Sequence, residues 1–108
     1  MDEKTQGQVQ SYIDKIEELF KHPALKIQRN YDARFTTIRT RETPIGNFIS
    51  EVACNWAGFD VSLVQSGHIR CDKILEAGIL LKKEVFQILP IVDSFCGIEI
   101  TGEQLLQA

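Results

Sequence analysis

Gln65, Ser66, Gly67, His68, Ile69 and Arg70 are the run with the clearest capacity for chemistry. They follow Phe59-Asp60-Val61-Ser62-Leu63-Val64, which reads as a strand delivering the chain into a sharp turn. A glycine in such a turn lets the backbone approach a ligand closely. An arginine three residues on offers a forked, permanently charged donor to an oxyanion. The pattern predicts an anion pocket. Because a strand, a glycine turn and an arginine also occur together in proteins with no ligand, the surroundings decide what the run means.

Other chemistries have fewer candidates. Cys54, Cys71 and Cys96 are odd in number, widely spaced and never paired as Cys-x-x-Cys, so they read as free thiols, two or more of them filling the core. With only His22 and His68 beside them, no first shell for a catalytic metal assembles by motif. No catalytic or metal-ligating residue is therefore expected in this chain.

The 108 residues suit one domain, and 44% hydrophobic with 25% charged residues is a globular balance. Twelve Lys plus Arg against fifteen Asp plus Glu leave a net charge of −3, with the basic residues scattered among acids. That argues against nucleic acid as a partner. No apolar run approaches the roughly twenty residues that span a bilayer, so no membrane contact is expected from this segment. The compartment is not legible.

Around the turn, the elements that must position it follow from periodicity. Val9, Tyr12, Ile13, Ile16, Leu19 and Phe20 make one stripe of an amphipathic helix that Pro23 ends. Leu25 to Arg29 alternates as a short strand, and a second extended stretch is expected over Phe35 to Arg41, where Phe35, Thr37, Arg39 and Arg41 would share a face. Thr43 is a good N-cap and Pro44 suits the first helical position. Ile45, Phe48, Ile49, Val52, Ala53 and Trp56 then form a stripe closed by Gly58. This helix is expected to pack on the sheet through Ile45, Ile49, Val52 and Trp56, with a buried Trp56 worth about 3–5 kcal/mol on truncation to Ala.

Beyond the turn, a short helix from about Lys82 to Ile88 stops at Pro90, and Phe95 to Ile100 reads as a further strand. Thr101-Gly102-Glu103-Gln104 has the form of a capping box ahead of Leu105-Leu106. A helix beginning so near Ala108 would be marginal alone. The expectation is a piece of a longer polypeptide.

Four motifs, in order, carry a resemblance: Arg39-Thr40-Arg41-Glu42-Thr43-Pro44-Ile45-Gly46-Asn47-Phe48-Ile49, then Gln65 to Arg70, then Ile88-Leu89-Pro90, then Ile98-Glu99-Ile100-Thr101-Gly102. Together they resemble the carboxy-terminal domain of the 5'-nucleotidase family, with the likeness reaching upstream through Asp32-Ala33-Arg34-Phe35 and the first helix. The resemblance implies an α/β fold with a mixed sheet and packed helices. Residues 1–108 would form a single domain, about the first two-thirds of the family's carboxy-terminal domain. It also implies a division of labour. A separate amino-terminal metallophosphoesterase domain, in cis and not present here, would hold two divalent metal ions, while this domain grips a nucleotide or other phosphate ester. Two-metal hydrolysis is consistent with that split, since the metals stabilise charge and the protein supplies positioning.

Carried over residue by residue, Arg39 matches the first arginine of the Arg-x-Arg-Glu motif and Arg70 the arginine that closes the glycine loop. Both would bind an oxyanion or ribose-phosphate, whereas Arg41 is better read as an ion-pair partner of Glu42. Gln65 stands where the family usually has Asn, and Gly67 would allow backbone approach. Ile91 replaces a base-stacking phenylalanine with an aliphatic wall. His68 stands where a small residue is usual and either faces solvent, the favoured reading, or donates to phosphate when protonated, while Asp93 either caps a turn, the favoured reading, or accepts a hydrogen bond from a base or sugar. A ligand- or protein-binding module without catalysis, or a structural α/β domain without a site, is the competing reading.

Overall fold

The computed structural model describes residues 2–108. Asp2 opens the first helix, its carboxylate accepting the Thr5 N–H at 2.7 Å, and α1 (Glu3–Phe20) follows. The chain then forms β1 (Pro23–Ile27), β2 (Tyr31–Asp32), a single turn α2 (Phe35–Ile38) and α3 (Pro44–Ala57). A 3-10 turn (Ser66–His68) leads to β3 (Ile74–Leu75), β4 (Gly78–Leu81), α4 (Lys82–Ile88) and α5 (Gly102–Gln107). Helices and strands thus interleave in a mixed α/β arrangement. The strands form two antiparallel ladders, β1 with β4 and β2 with β3.

Alternation explains the larger ladder. Leu25 lies opposite Leu80 and both turn inward, while Lys26 and Ile79 between them face out. The core gathers Ile27, Tyr31, Ala33, Ile38, Ile45, Ile69, Leu75, Leu80 and Ile88, one residue or two from almost every element. Asn30 pins the two ladders together, because its side-chain oxygen accepts the Ala77 N–H at 2.8 Å across 47 residues.

The helix boundaries follow the sequence closely. Thr43 caps α3 by accepting the Gly46 N–H at 3.3 Å, Pro44 takes the first position, and Gly58 closes the helix at φ +70°. α4 occupies the expected residues and has Leu81 N–H donating to Glu84 Oε2 at 2.9 Å. The capping box at Thr101 forms in both directions, Thr101 N–H to Gln104 Oε1 at 2.8 Å and Gln104 N–H to Thr101 Oγ1 at 3.2 Å.

Three expected strands are corrected. Phe35–Ile38 is helical because tertiary contacts outweigh the β-preference of Thr36, Thr37 and Ile38. The Phe35 N–H, unpaired in any helix start, donates to Asp72 Oδ1 at 2.7 Å, and Asp32 Oδ2 accepts the Thr37 hydroxyl at 3.0 Å. Residues 59–64 are extended but unpaired. They are tied to α3 by side chains, with Ser50 Oγ donating to Ser62 O and Cys54 Sγ to Phe59 O, both at 2.7 Å. Residues 95–100 also lack a ladder and lie exposed.

The packing of α3 is corrected as well. Its first half docks through Ile45, Phe48 and Ile49, with the Phe48 ring 5.6 Å from that of Tyr31, but Val52 is 52% exposed and Trp56 75% exposed. Trp56 meets only the edge of the exposed chain, its ring 5.9 Å from Phe95. Of the three free thiols, Cys71 packs against the core, Cys54 is half-buried and Cys96 is exposed, so the core takes one and not two.

The stripe on α1 is likewise uncovered. Val9, Tyr12, Ile13, Ile16 and Leu19 are all more than 40% exposed, and the helix joins the rest at its end, where Phe20 meets Phe86 edge-on at 5.3 Å. An outlying helix about 27 Å long accounts for extents of 64 × 29 × 24 Å and a radius of gyration of 18.0 Å. A compact chain of this length would have roughly 13 Å.

Burial ranks the substitutions. Ile45→Ala should destabilise the chain by about 2–5 kcal/mol in urea unfolding. Trp56→Ala should stay within about 1 kcal/mol. Equal losses at both positions would show that the second half of α3 is covered in solution.

Candidate substrate-binding site

Ile69 places Arg70. The backbone at Ile69 is extended (φ −84°, ψ 113°), so successive side chains point in opposite directions. Ile69 is 1% exposed in the core and Arg70 faces out. The Arg70 N–H donates to Ile88 O at 2.8 Å, which fastens the turn to the end of α4. Immediately after it, Asp72 adopts φ +45°, a left-handed conformation that aspartate tolerates better than most residues. That corner turns its carboxylate toward the Phe35 N–H, while the Lys73 carbonyl accepts the Ala33 N–H at 3.1 Å.

The turn is therefore stitched to two other segments, the start of α2 on one side and the end of α4 on the other. Arg39 caps the far end of α2, exposed, with its guanidinium carbon 4.1 Å from the Phe35 ring centre. That is close enough for a cation–π contact. It holds the arginine along α2 while leaving its N–H groups at the surface. Because the segment is helical, Arg39 and Arg41 do not share a strand face as expected. The Arg41–Glu42 ion pair is not formed among the described residues, and Glu42 instead accepts the Asn47 amide at 2.9 Å.

Gln65 is exposed at the start of the 3-10 turn, with its carbonyl accepting the His68 N–H at 3.1 Å. Gly67 needs no special backbone angle, and a Cβ there would meet nothing within 4 Å. Its contribution is open space. Ile91 is 44% exposed just past Leu89-Pro90. His68 is half-buried with its side chain 35% exposed, and its Nε2 lies 3.6 Å from Asp93 Oδ2. Asp93 Oδ1 accepts the Ser94 N–H at 2.8 Å, as a turn cap does.

Arg39, Gln65, Arg70 and Ile91 are each exposed. Two shallow grooves lie elsewhere, one along the first turns of α1 and one of about 350 Å³ around the β3–β4 turn, and neither includes Arg39, Gln65, Gly67, Arg70 or Ile91. Among the described residues, no group of three or more His, Cys, Asp and Glu could hold a metal ion. Nor is any helix among the described residues long and apolar enough to cross a membrane.

A family model for the 5'-nucleotidase C-terminal domain matches residues 22–108. The chain belongs to that family. The match takes in all the stitched segments, from β1 through α5, whereas α1 precedes it. A 5'-nucleotidase C-terminal domain is in general part of a hydrolase. No significant match exists among curated proteins or solved structures.

The polar residue that sequence reasoning passed over is Asp32. It accepts three hydrogen bonds from Arg34, the N–H at 3.1 Å, Nε at 2.9 Å and an Nη at 2.7 Å, as well as the Thr37 hydroxyl. The Arg34 hydrogen bonds hold its carboxyl far below the usual carboxylate range, against a smaller opposing effect of desolvation. The signal was an aspartate two residues before an arginine and five before a threonine, a pattern for a side chain organising its own turn. This cluster fixes the entry to α2 and hence Arg39.

A lowered folded-state pKa means that the ionised Asp32 favours the folded state above the ordinary aspartate range, and that this advantage fades as pH falls below about 4. Asp32→Asn should accordingly be less stable than the unsubstituted chain in urea unfolding at pH 7, and the gap should narrow at pH 3. A gap that widened in acid would contradict the Asp32–Arg34 pairing.

Proposed function

We propose that this domain grips a nucleotide or related phosphate ester for a metal-dependent phosphoesterase, with Arg39 and Arg70 as ligands of the phosphate or ribose-phosphate. Supporting this reading is the alternation at Ile69-Arg70 within a family-matched turn, since a buried isoleucine commits the neighbouring guanidinium to the surface. Arginine suits the task because its planar donors match phosphate oxygens in pairs. Gln65 would reach the sugar or base with its amide, and the open space at Gly67 would admit the ligand against the backbone. Ile91 would supply an apolar wall beneath the base.

Among its described residues the chain offers no cluster of ligands that would fit the two divalent metals of such an enzyme. No bond-breaking step is assigned to it. Metal-activated water would belong to an amino-terminal catalytic domain in cis, to which this domain would present the substrate. The same exposed faces of α1 and α3 that leave room for such a neighbour also suit a non-catalytic protein-binding module.

Phosphate release separates the two. The purified chain with added divalent metal should release no phosphate from a nucleoside monophosphate, and the parent protein should. Arg70→Ala in the parent should lower kcat/KM by an amount equivalent to about 2–4 kcal/mol. An unaffected Arg70→Ala parent would misplace the grip, and a parent without phosphatase activity would favour the binding module.

A further inference from the structure

We propose that His68 and Asp93 form an acid-strengthened latch that positions the chain after α4, Ile91 included, against the turn carrying Gln65, Gly67 and Arg70. The inference rests on the substrate-gripping role proposed for these residues, and assigns to His68 and Asp93 a positioning part in it.

The need for a latch follows from how little else holds this stretch. Residues 90–100 form no helix or ladder, and all of them are exposed. Upstream, the Arg70 N–H to Ile88 O bond secures the end of α4. Downstream, Phe95 rests on Trp56, and Gly97 lies so close to the Phe59 ring that a Cβ there would clash with its Cζ. Between those anchors, Ile91 and Val92 have little burial to order them, being 44% and 95% exposed. The His68–Asp93 pair spans this gap and joins segments 25 positions apart. It is one of two ion pairs among the described residues.

Its geometry makes it depend on charge. At 3.6 Å the contact is too long for a good neutral hydrogen bond but within range of Coulomb attraction between imidazolium and carboxylate. Imidazole becomes cationic on acidification, and the cation attracts a carboxylate far more strongly than the neutral ring does, so the latch tightens as the pH falls. Arg70 lies two residues along the same turn, Asp60 on the extended segment that leads into it, and α4 carries Lys82, Lys83 and Glu84 in its first turn, away from Ile88. With side chains 35% and 65% exposed, the pair should also weaken in salt.

Amide exchange of Ile91 to Ser94, measured by NMR on the 108-residue chain and expressed as protection factors, tests the latch directly. At low salt the protection at pH 5.5 should exceed that at pH 7.5 by about 1.5- to 5-fold, the range of an exposed ion pair. Asp93→Asn and His68→Gln should abolish the difference. His68→Lys, charged at both pH values, should keep the segment protected at both. A pH difference that survives in Asp93→Asn, or a His68→Lys chain no more protected at pH 7.5 than His68→Gln, overturns the proposal.

Binding of adenosine monophosphate to the same proteins separates the latch from the role it serves. The affinity ratio between unsubstituted chain and Asp93→Asn should be about 1.5- to 5-fold at pH 5.5 and near one at pH 7.5. A ratio that is the same at both pH values denies the pair its positioning role even if the exchange pattern holds. No binding by any of the proteins, with the exchange pattern intact, counts against the nucleotide-gripping role and leaves the latch standing.

Discussion

Burial of Ile69 is the constraint on which the rest of the candidate site depends. One side chain locked in the core, in an extended backbone, determines that Arg70 faces solvent and that its N–H meets the end of α4. The next corner, at Asp72, then reaches α2. Loss of so buried an isoleucine would cost more than packing. It would free the register of the turn, and with it the direction of the arginine.

Around that anchor, much of the structure is held by side chain to backbone hydrogen bonds instead of ladders. Asp72 satisfies the start of α2, Asn30 the β3–β4 turn, Ser50 the extended chain at Ser62, and Asp32 the turn at Arg34. Each pairs a main-chain group that has no strand or helix partner, which is the requirement that fixes where short polar side chains must sit. The two ladders are short because only Pro23–Ile27 with Gly78–Leu81, and Tyr31–Asp32 with Ile74–Leu75, find partners.

The uncovered apolar residues have a consistent distribution. Most lie on α1, on the second half of α3, along residues 59–63 and along residues 90–100, the others being Ile74, Ile79, Phe86 and Leu106, while the first half of α3 and the inward faces of the ladders enclose the core. The stitched turn and its arginine sit on the enclosed part. The segment with Ile91 belongs to the looser part, which is why a single ion pair can influence it.

The sequence by itself determined α1, α3, α4 and α5, though not α2. Thr43, Pro44 and Gly58 delimit α3, Pro90 follows the end of α4, and Thr101 with Gln104 starts α5, because capping is a local matter of which side chain or backbone angle can satisfy the nearest orphan N–H or carbonyl. It also determined the family, since motifs keep their order and spacing whatever the packing. The strands were not legible in the same way. Phe35 to Arg41, Phe59 to Val64 and Phe95 to Ile100 all alternate or run apolar, yet a strand exists only where another chain segment accepts its hydrogen bonds, and partnership is a property of the whole fold. For the same reason only the tertiary structure could decide that Trp56 stays exposed, that Arg39 lies along α2 over Phe35, and that His68 meets Asp93. Each depends on a surface brought from elsewhere in the chain.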